Sequence, residues 1–172
     1  REGATATFDA LEAGAVDYVS KGADSGIEQA GIREELLLKI RGAASTTFTR
    51  KVQLTPVPRH QNGESHARPK LLTGKPDYVG IGASTGGPVA LQEVLSHIPA
   101  GFAHGIMVAI HMPKAFTGPF AERLNSKCAL SVKEAADGDL LLPGQVLVAP
   151  GGRHTTLVRK AAGIMVQTVP IE

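Results

Sequence analysis

The period of the apolar positions changes along the chain, and each period predicts an element. Ala4, Phe8, Leu11 and Ala15 recur at near-helical spacing, with Gly14 placed to end that helix. Ala15-Val16-Asp17-Tyr18-Val19-Ser20-Lys21 then reads as a short strand, and Gly22 to Gly26 as a turn. Ile32, Leu36, Leu37 and Ile40 share one face of a second helix. From residue 78 onward the alternation is regular. Tyr78 to Gly82 is a short apolar strand, and Pro88 suits the first turn of a helix carrying Leu91, Val94, Leu95 and Ile98 on one face. Pro99 and Gly101 stop that helix, and Gly105 to Ile110 forms a buried strand. Thr117 to Asn125 reads as a helix, with Phe116, Phe120 and Leu124 aligned. Leu130 to Lys133 and Val146 to Ala149 are two further strands, and Thr155–Arg159 with Gly163–Val169 makes a closing hairpin.

Strands alternating with helices imply βαβ crossovers and a mainly parallel sheet, so the fold class is α/β. The first 43 residues give helix, strand, helix, and one strand alone makes no stable sheet. This portion is expected to complete something upstream. Residues 44–76 show no apolar periodicity and hold Pro56, Pro58, Pro69 and Pro76 among many Ser and Thr, the pattern of an exposed linker. Residues 77–172 carry the regular alternation. The chain begins at Arg1 inside a helical pattern and ends at Glu172 directly after a strand-like run, so truncation at both ends is expected.

Charge sharpens this division. The net +2 hides a net of −4 over residues 1–40 and +6 over residues 41–76, with seven acids and seven bases in residues 77–172. The basic linker lacks the aromatic interleaving of single-strand binders, so it reads as a solvated tether and no nucleic-acid partner is expected. The single cysteine, Cys128, excludes an internal disulfide framework and a cysteine-based zinc site. With no apolar run of membrane-spanning length and no leader pattern in residues 1–20, no membrane insertion is expected, and the expected compartment is the cytoplasm.

The richest chemical signal is Gly82-Ala83-Ser84-Thr85-Gly86-Gly87, between a strand and a helix. Ligands of open parallel sheets bind at the carboxyl ends of strands, where Ser84 falls. Small neighbours allow a sharp bend that exposes the hydroxyl, and free N–H groups at the helix start can stabilise negative charge, the logic of a G-x-S-x-G elbow. His111 directly follows the next strand, so it lies on the same sheet edge and can serve Ser84 as a base if the two strands are neighbours. A serine in a glycine-rich turn also serves as a plain helix cap, and such a histidine as a backbone-bonding residue. A dinucleotide fingerprint on Gly80, Gly82 and Gly86 is the rival, but position 85 is Thr where glycine is needed, and no acid follows the second strand. Asp137-Gly138-Asp139 lacks the further ligands of a calcium loop and reads as a turn, so no metal is expected. His154 follows a strand end and belongs on the same face; His60 and His66 fall in the linker. Cys128 reads as an incidental thiol.

Taken together, several runs resemble a known family. Ile81 to Gly87, Ile110 to Pro113, Phe116-Thr117, Phe120 to Asn125, Val132 to Ala135, Asp137-Gly138, Leu142 to Gly144 and Ala149 to Gly151 with His154 look like the chemotaxis protein-glutamate methylesterase, the CheB type, in order and spacing. Ala10 to Lys21 is similar to the end of a response-regulator receiver. The resemblance implies residues 1–43 as the C-terminal part of a flavodoxin-like receiver domain, residues 44–76 as linker and residues 77–172 as the N-terminal part of a Rossmann-like methylesterase domain. It implies hydrolysis of γ-methyl esters on glutamates of chemoreceptor cytoplasmic domains, with deamidation of glutamines there in many members. Ser84 matches the nucleophile, His111 the general base, and Lys21 the receiver's phosphate-contacting lysine. Backbone N–H groups near Thr85 and Gly86 are placed to hold an oxyanion. The chemotaxis histidine kinase would phosphorylate the receiver, and no cofactor is implied. The resemblance places the Asp that orients His111 beyond Glu172 and the phospho-accepting Asp before Arg1, so the stretch alone is expected to be inactive. Gly22 stands where many receivers have Pro. A non-catalytic receptor-binding module and a nucleotide-binding α/β domain are the alternatives.

Overall fold

The computed structural model describes residues 2–19, 29–45 and 78–171; Lys21, the turn at Gly22–Gly26 and the linker prolines lie outside the described residues. The elements are α1 (Glu2–Glu12), α2 (Gln29–Ala44), β1 (Tyr78–Ala83), α3 (Gly87–Ser96), β2 (Gly105–Ile110), α4 (Lys114–Lys127), β3 (Ser131–Glu134), β4 (Gln145–Val148), β5 (Arg153–Lys160) and β6 (Gly163–Pro170). Strands β1 to β4 form one parallel sheet in the order β1-β2-β4-β3, and β5 pairs antiparallel with β6. The α/β class and the mainly parallel sheet agree with the sequence.

Interior strands need apolar side chains on both faces, which the runs Gly105–Ile110 and Gln145–Val148 supply. Ile106, Val108, Val146 and Val148 pack into one layer with Leu91, Leu95, Phe120 and Leu124, so α3 and α4 cover the same face. Met107 and Leu147 point to the opposite face, where Leu141 and Val166 cover them. The chain moves outward from β1 to β2 to β3 and then steps back to β4. Crossovers of one hand require the returning connection to lie on the opposite face. Leu141 sits in that connection and on that face.

Two elements differ from the sequence pattern. The expected helix over Thr117–Asn125 begins at Lys114 and runs to Lys127, because Pro113 caps it and accepts the Phe116 N–H at 2.8 Å. Pro119 lies inside this helix without ending it, held by the burial of Phe120 and Leu124 on either side of the next turn. The expected strand at Ala15–Lys21 is not one over residues 15–19. No described strand pairs with it. Instead the Tyr18 carbonyl accepts a hydrogen bond from Lys39 Nζ at 2.6 Å, and its ring stacks on Phe116 at 5.0 Å between centroids. Phe8 of α1 meets Phe120 at 5.6 Å and Phe116 at 6.3 Å, which seats α1 on α4. Arg123 rims that contact, pairing with Asp9 at 2.9 Å and Glu12 at 2.6 Å.

The Asp137-Gly138-Asp139 segment is a turn, as its composition suggests, and it ties the hairpin to the sheet. Asp137 Oδ1 accepts the Thr168 N–H at 2.8 Å, and the Gly138 N–H bonds the Val166 carbonyl at 2.9 Å. Asp139 accepts the Ala136 N–H at 2.7 Å and Lys133 Nζ at 2.6 Å. Burial alone would raise the Asp139 carboxyl; the hydrogen bonds from Lys133 and Ala136 and the lysine charge outweigh it and hold the group below its ordinary range.

Leu124 is fully buried between α4 and the sheet, so Leu124→Ala should cost about 2–5 kcal/mol, read as a lower urea midpoint at unchanged slope. A carboxyl with a depressed folded value stabilises above its unfolded value of ~3.9 and loses that contribution as pH falls through the folded value. Asp139→Asn should therefore lower stability at neutral pH. The gap to the unmodified protein should narrow below about pH 4 in urea melts run across a pH series.

Candidate functional site

Parallel register decides where the chemistry falls. Ile81 pairs with Val108, and Val108 with Val148, so Ser84, His111 and Gly151 each lie three residues beyond one common row. The backbone ladder continues past the strand ends, with the His111 N–H bonded to the Ala83 carbonyl at 3.1 Å and the Ala149 N–H to the Val108 carbonyl at 2.8 Å. Ser84 and His111 therefore occupy adjoining positions on neighbouring strands about 4.8 Å apart, and both side chains are exposed.

The turn that presents Ser84 is built from backbone. Gly86 adopts φ +73°, a left-handed conformation that a side chain would disfavour, and it caps α3. The Gly87 N–H bonds the Ser84 carbonyl at 2.7 Å, and Pro88 has no N–H to leave unsatisfied. Gly87 is thereby spent, whereas the Thr85 and Gly86 amide N–H groups beside the serine take no part in the turn's backbone hydrogen bonds. Thr85 is also where α2 approaches: a Cβ at Gly42 would stand 3.2 Å from Thr85 Cγ2.

A cleft of about 260 Å³ opens at the ends of β2 and β4, lined by His111, Met112, Pro150, Gly151, Arg153 and His154 among others. It brings His154 to the same edge as His111, while Ser84 lies one strand over, outside the lining. A larger hollow of about 520 Å³ separates α1, α3 and α4, but its walls hold no serine, cysteine or histidine to act as nucleophile or base. Cys128 ends α4 half-buried, and burial pushes its thiol up from the ordinary value, which disfavours the reactive thiolate. Asp137 and Asp139 are committed to the turn described above, not to His111. Among the described residues no cluster of His, Cys, Asp or Glu is arranged to hold a metal, and no helix is long and apolar enough to cross a membrane.

Two residues of this edge escaped the sequence reading. Thr117 and Glu134 appeared there only as parts of longer runs. In the fold, the Thr117 hydroxyl accepts the Gly151 N–H at 3.2 Å and donates to the Glu134 carboxylate. The available signal was that Glu134 ends a parallel strand, as Ile110 just before His111 does, and so falls on the same carboxyl edge.

Comparison with known proteins bears on the same stretch. Residues 79–171, more than half of the chain, match the family described as CheB methylesterase. The protein-glutamate methylesterase/protein-glutamine glutaminase 1 of Geobacter sulfurreducens is 59% identical over 175 residues, covering 98% of this chain and 48% of that protein. The protein-glutamate methylesterase/protein-glutamine glutaminase 5 of Geobacter metallireducens is 53% identical over 173 residues, covering 98% of this chain and 47% of that protein. The chain thus spans about half the length of the curated relatives it matches. The crystal structure of the Thermotoga maritima CheB methylesterase catalytic domain superposes with a TM-score of 0.54 at 37% identity, over 58% of this chain and 52% of that one. Sequence runs, sheet and relatives converge on residues 79–171, and the chain belongs to the CheB methylesterase family.

Proposed function

We propose that the protein carrying this chain is a serine hydrolase that removes γ-methyl esters from glutamates of chemoreceptor cytoplasmic domains, and deamidates glutamines there by the same route. The observation that carries this reading is the adjoining placement of Ser84 and His111 at the ends of β1 and β2, in a family whose members bear the names given above. The His111 imidazole takes the Ser84 proton as Oγ attacks the ester carbonyl. The carbonyl oxygen gathers negative charge, and the Thr85 and Gly86 N–H groups donate to it. Collapse expels methoxide, which leaves as methanol with the proton from His111. Water, deprotonated by His111 in turn, attacks the acyl-serine and frees the glutamate and Ser84. With a glutamine the leaving group is ammonia and the acyl-serine is the same.

Within this reading, residues 1–43 are the C-terminal part of a receiver domain with Lys21 as its phosphate-contacting lysine, and residues 44–76 are the linker. A chemotaxis histidine kinase is the phosphodonor, and the cytoplasm is the compartment. The approach of Gly42 to Thr85 supports a role for the first segment beside the esterase elbow.

In the full-length protein, Ser84→Ala should lower methanol release from methylated receptors on the order of 10⁴-fold or more, with receptor binding kept. A fluorophosphonate should label the unmodified protein at Ser84 and spare the variant. Retention of most activity by Ser84→Ala would remove the nucleophile assignment. Receptor binding without labelling or methanol release in the unmodified protein would point to the non-catalytic module instead.

A further inference from the structure

A fully buried threonine joins three segments at the carboxyl edge. Thr117 lies in the first turn of α4, and its hydroxyl has one proton to give. The Glu134 carboxylate at the end of β3 takes it, in competition with the Lys114 carbonyl at 3.2 Å. The oxygen's lone pair then faces the Gly151 N–H at 3.2 Å. Gly151 in turn presses on the segment that follows His111. A Cβ at Gly151 would stand 2.5 Å from the Met112 carbonyl oxygen and 2.6 Å from the Lys114 nitrogen, so only glycine allows this approach. On its N-terminal side His111 is already fixed by the bond from its N–H to Ala83. On its C-terminal side the backbone is set by the contact with Gly151.

A valine would fill the Thr117 site with nearly the same volume and none of the bonds. Without the hydroxyl, the Gly151 N–H and the Glu134 carboxylate lose their shared partner, and the loop has no polar tie to α4. We propose that Thr117 and Glu134 are positioning residues. They lock Pro150–Gly152 against Met112–Lys114 and thereby hold the His111 imidazole in line with Ser84. This rests on the Ser84–His111 reading above.

The test uses the full-length protein, methylated receptors and methanol release, with fluorophosphonate labelling of Ser84 as a second readout and urea melts to establish that each variant folds. Thr117→Val should lower kcat about 10–100-fold with little change in KM, and slow labelling in parallel, as expected for a misplaced base. Glu134→Gln should shift both readouts the same way by a smaller factor. Thr117→Ser, which restores the hydroxyl, should return both to within about threefold of the unmodified protein. A folded Thr117→Val with unaltered kcat and labelling would overturn the proposal. If that variant does not fold, Glu134→Gln with unaltered kcat and labelling would do so. Ser84→Ala run alongside separates the two levels. An inactive Ser84→Ala beside fully active Thr117 and Glu134 variants removes the positioning role alone, whereas an active Ser84→Ala removes the site reading and this inference with it.

Discussion

The parallel register of β1 on β2 on β4 is the constraint on which the site depends. β2 and β4 are buried on both faces, and their two faces are not equivalent. Ile106 and Val108 meet the α3 and α4 side chains, while Met107 meets Leu141 and Val166. A slip of one residue would exchange these sets and push each into a layer shaped for the other. Packing in the core therefore fixes which residues emerge side by side at the strand ends. On β1, half-buried Val79, Ile81 and Ala83 pack against the same core while Gly80 and Gly82 are exposed, so the adjacency of Ser84 and His111 follows from this alternation and the ladder to β2, with no interaction of their own required to bring them together.

What packing places, backbone hydrogen bonding then refines. At the end of β1 the chain reverses through Gly86, spends the Gly87 N–H on Ser84's own carbonyl and places a proline at the second residue of α3. A turn closed in this way demands nothing of the Ser84 side chain, which stays exposed. At the end of β4 the problem is opposite. Two loops meet with no room for a side chain, and the Gly151 N–H is satisfied by a buried hydroxyl. One strand end is thus held by its own main chain and the other by a side-chain network reaching across from α4 and β3.

Much of this was legible in the sequence, and the failures share a cause. The strand and helix alternation of residues 78–171 is local, and each run declares its period within a dozen residues. Tyr78–Ala83, Gly105–Ile110 and the hairpin accordingly appear where the pattern puts them. Ala15–Lys21 has a strand's composition, yet a strand is defined by its neighbour, and over residues 15–19 the backbone finds a lysine and an aromatic face instead. The start of α4 was hidden because Pro113 and Lys114 precede any apolar periodicity, so the cap lay outside the repeating pattern. Thr117 and Glu134 are separated by 17 positions and meet only once α4 and β3 have packed. No spacing rule carries a contact of that kind, whereas the carboxyl-edge positions of Ser84, His111 and Glu134 are readable because each falls at or just past a strand end.

The contact between the first segment and residues 78–171 shows which forces hold it. Charged groups are conspicuous there, with Arg123 between Asp9 and Glu12 and Lys127 on Glu12. Asp9 is 61% exposed and Glu12 37%, so solvent screens these pairs, and each is worth about 0–1 kcal/mol. Phe8 is 3% exposed and lies against two phenylalanine rings, and burial of such a side chain contributes about 1.5–3 kcal/mol before any ring geometry is counted. The association of α1 with α4 is therefore apolar in origin, and the ion pairs set its alignment. α2 stands in a different position. Leu36, Leu37, Leu38 and Ile40 remain exposed, so little of its apolar surface is used within the described residues. α1 is the anchored element of the first segment, and the approach of α2 to Thr85 rests on far less buried surface.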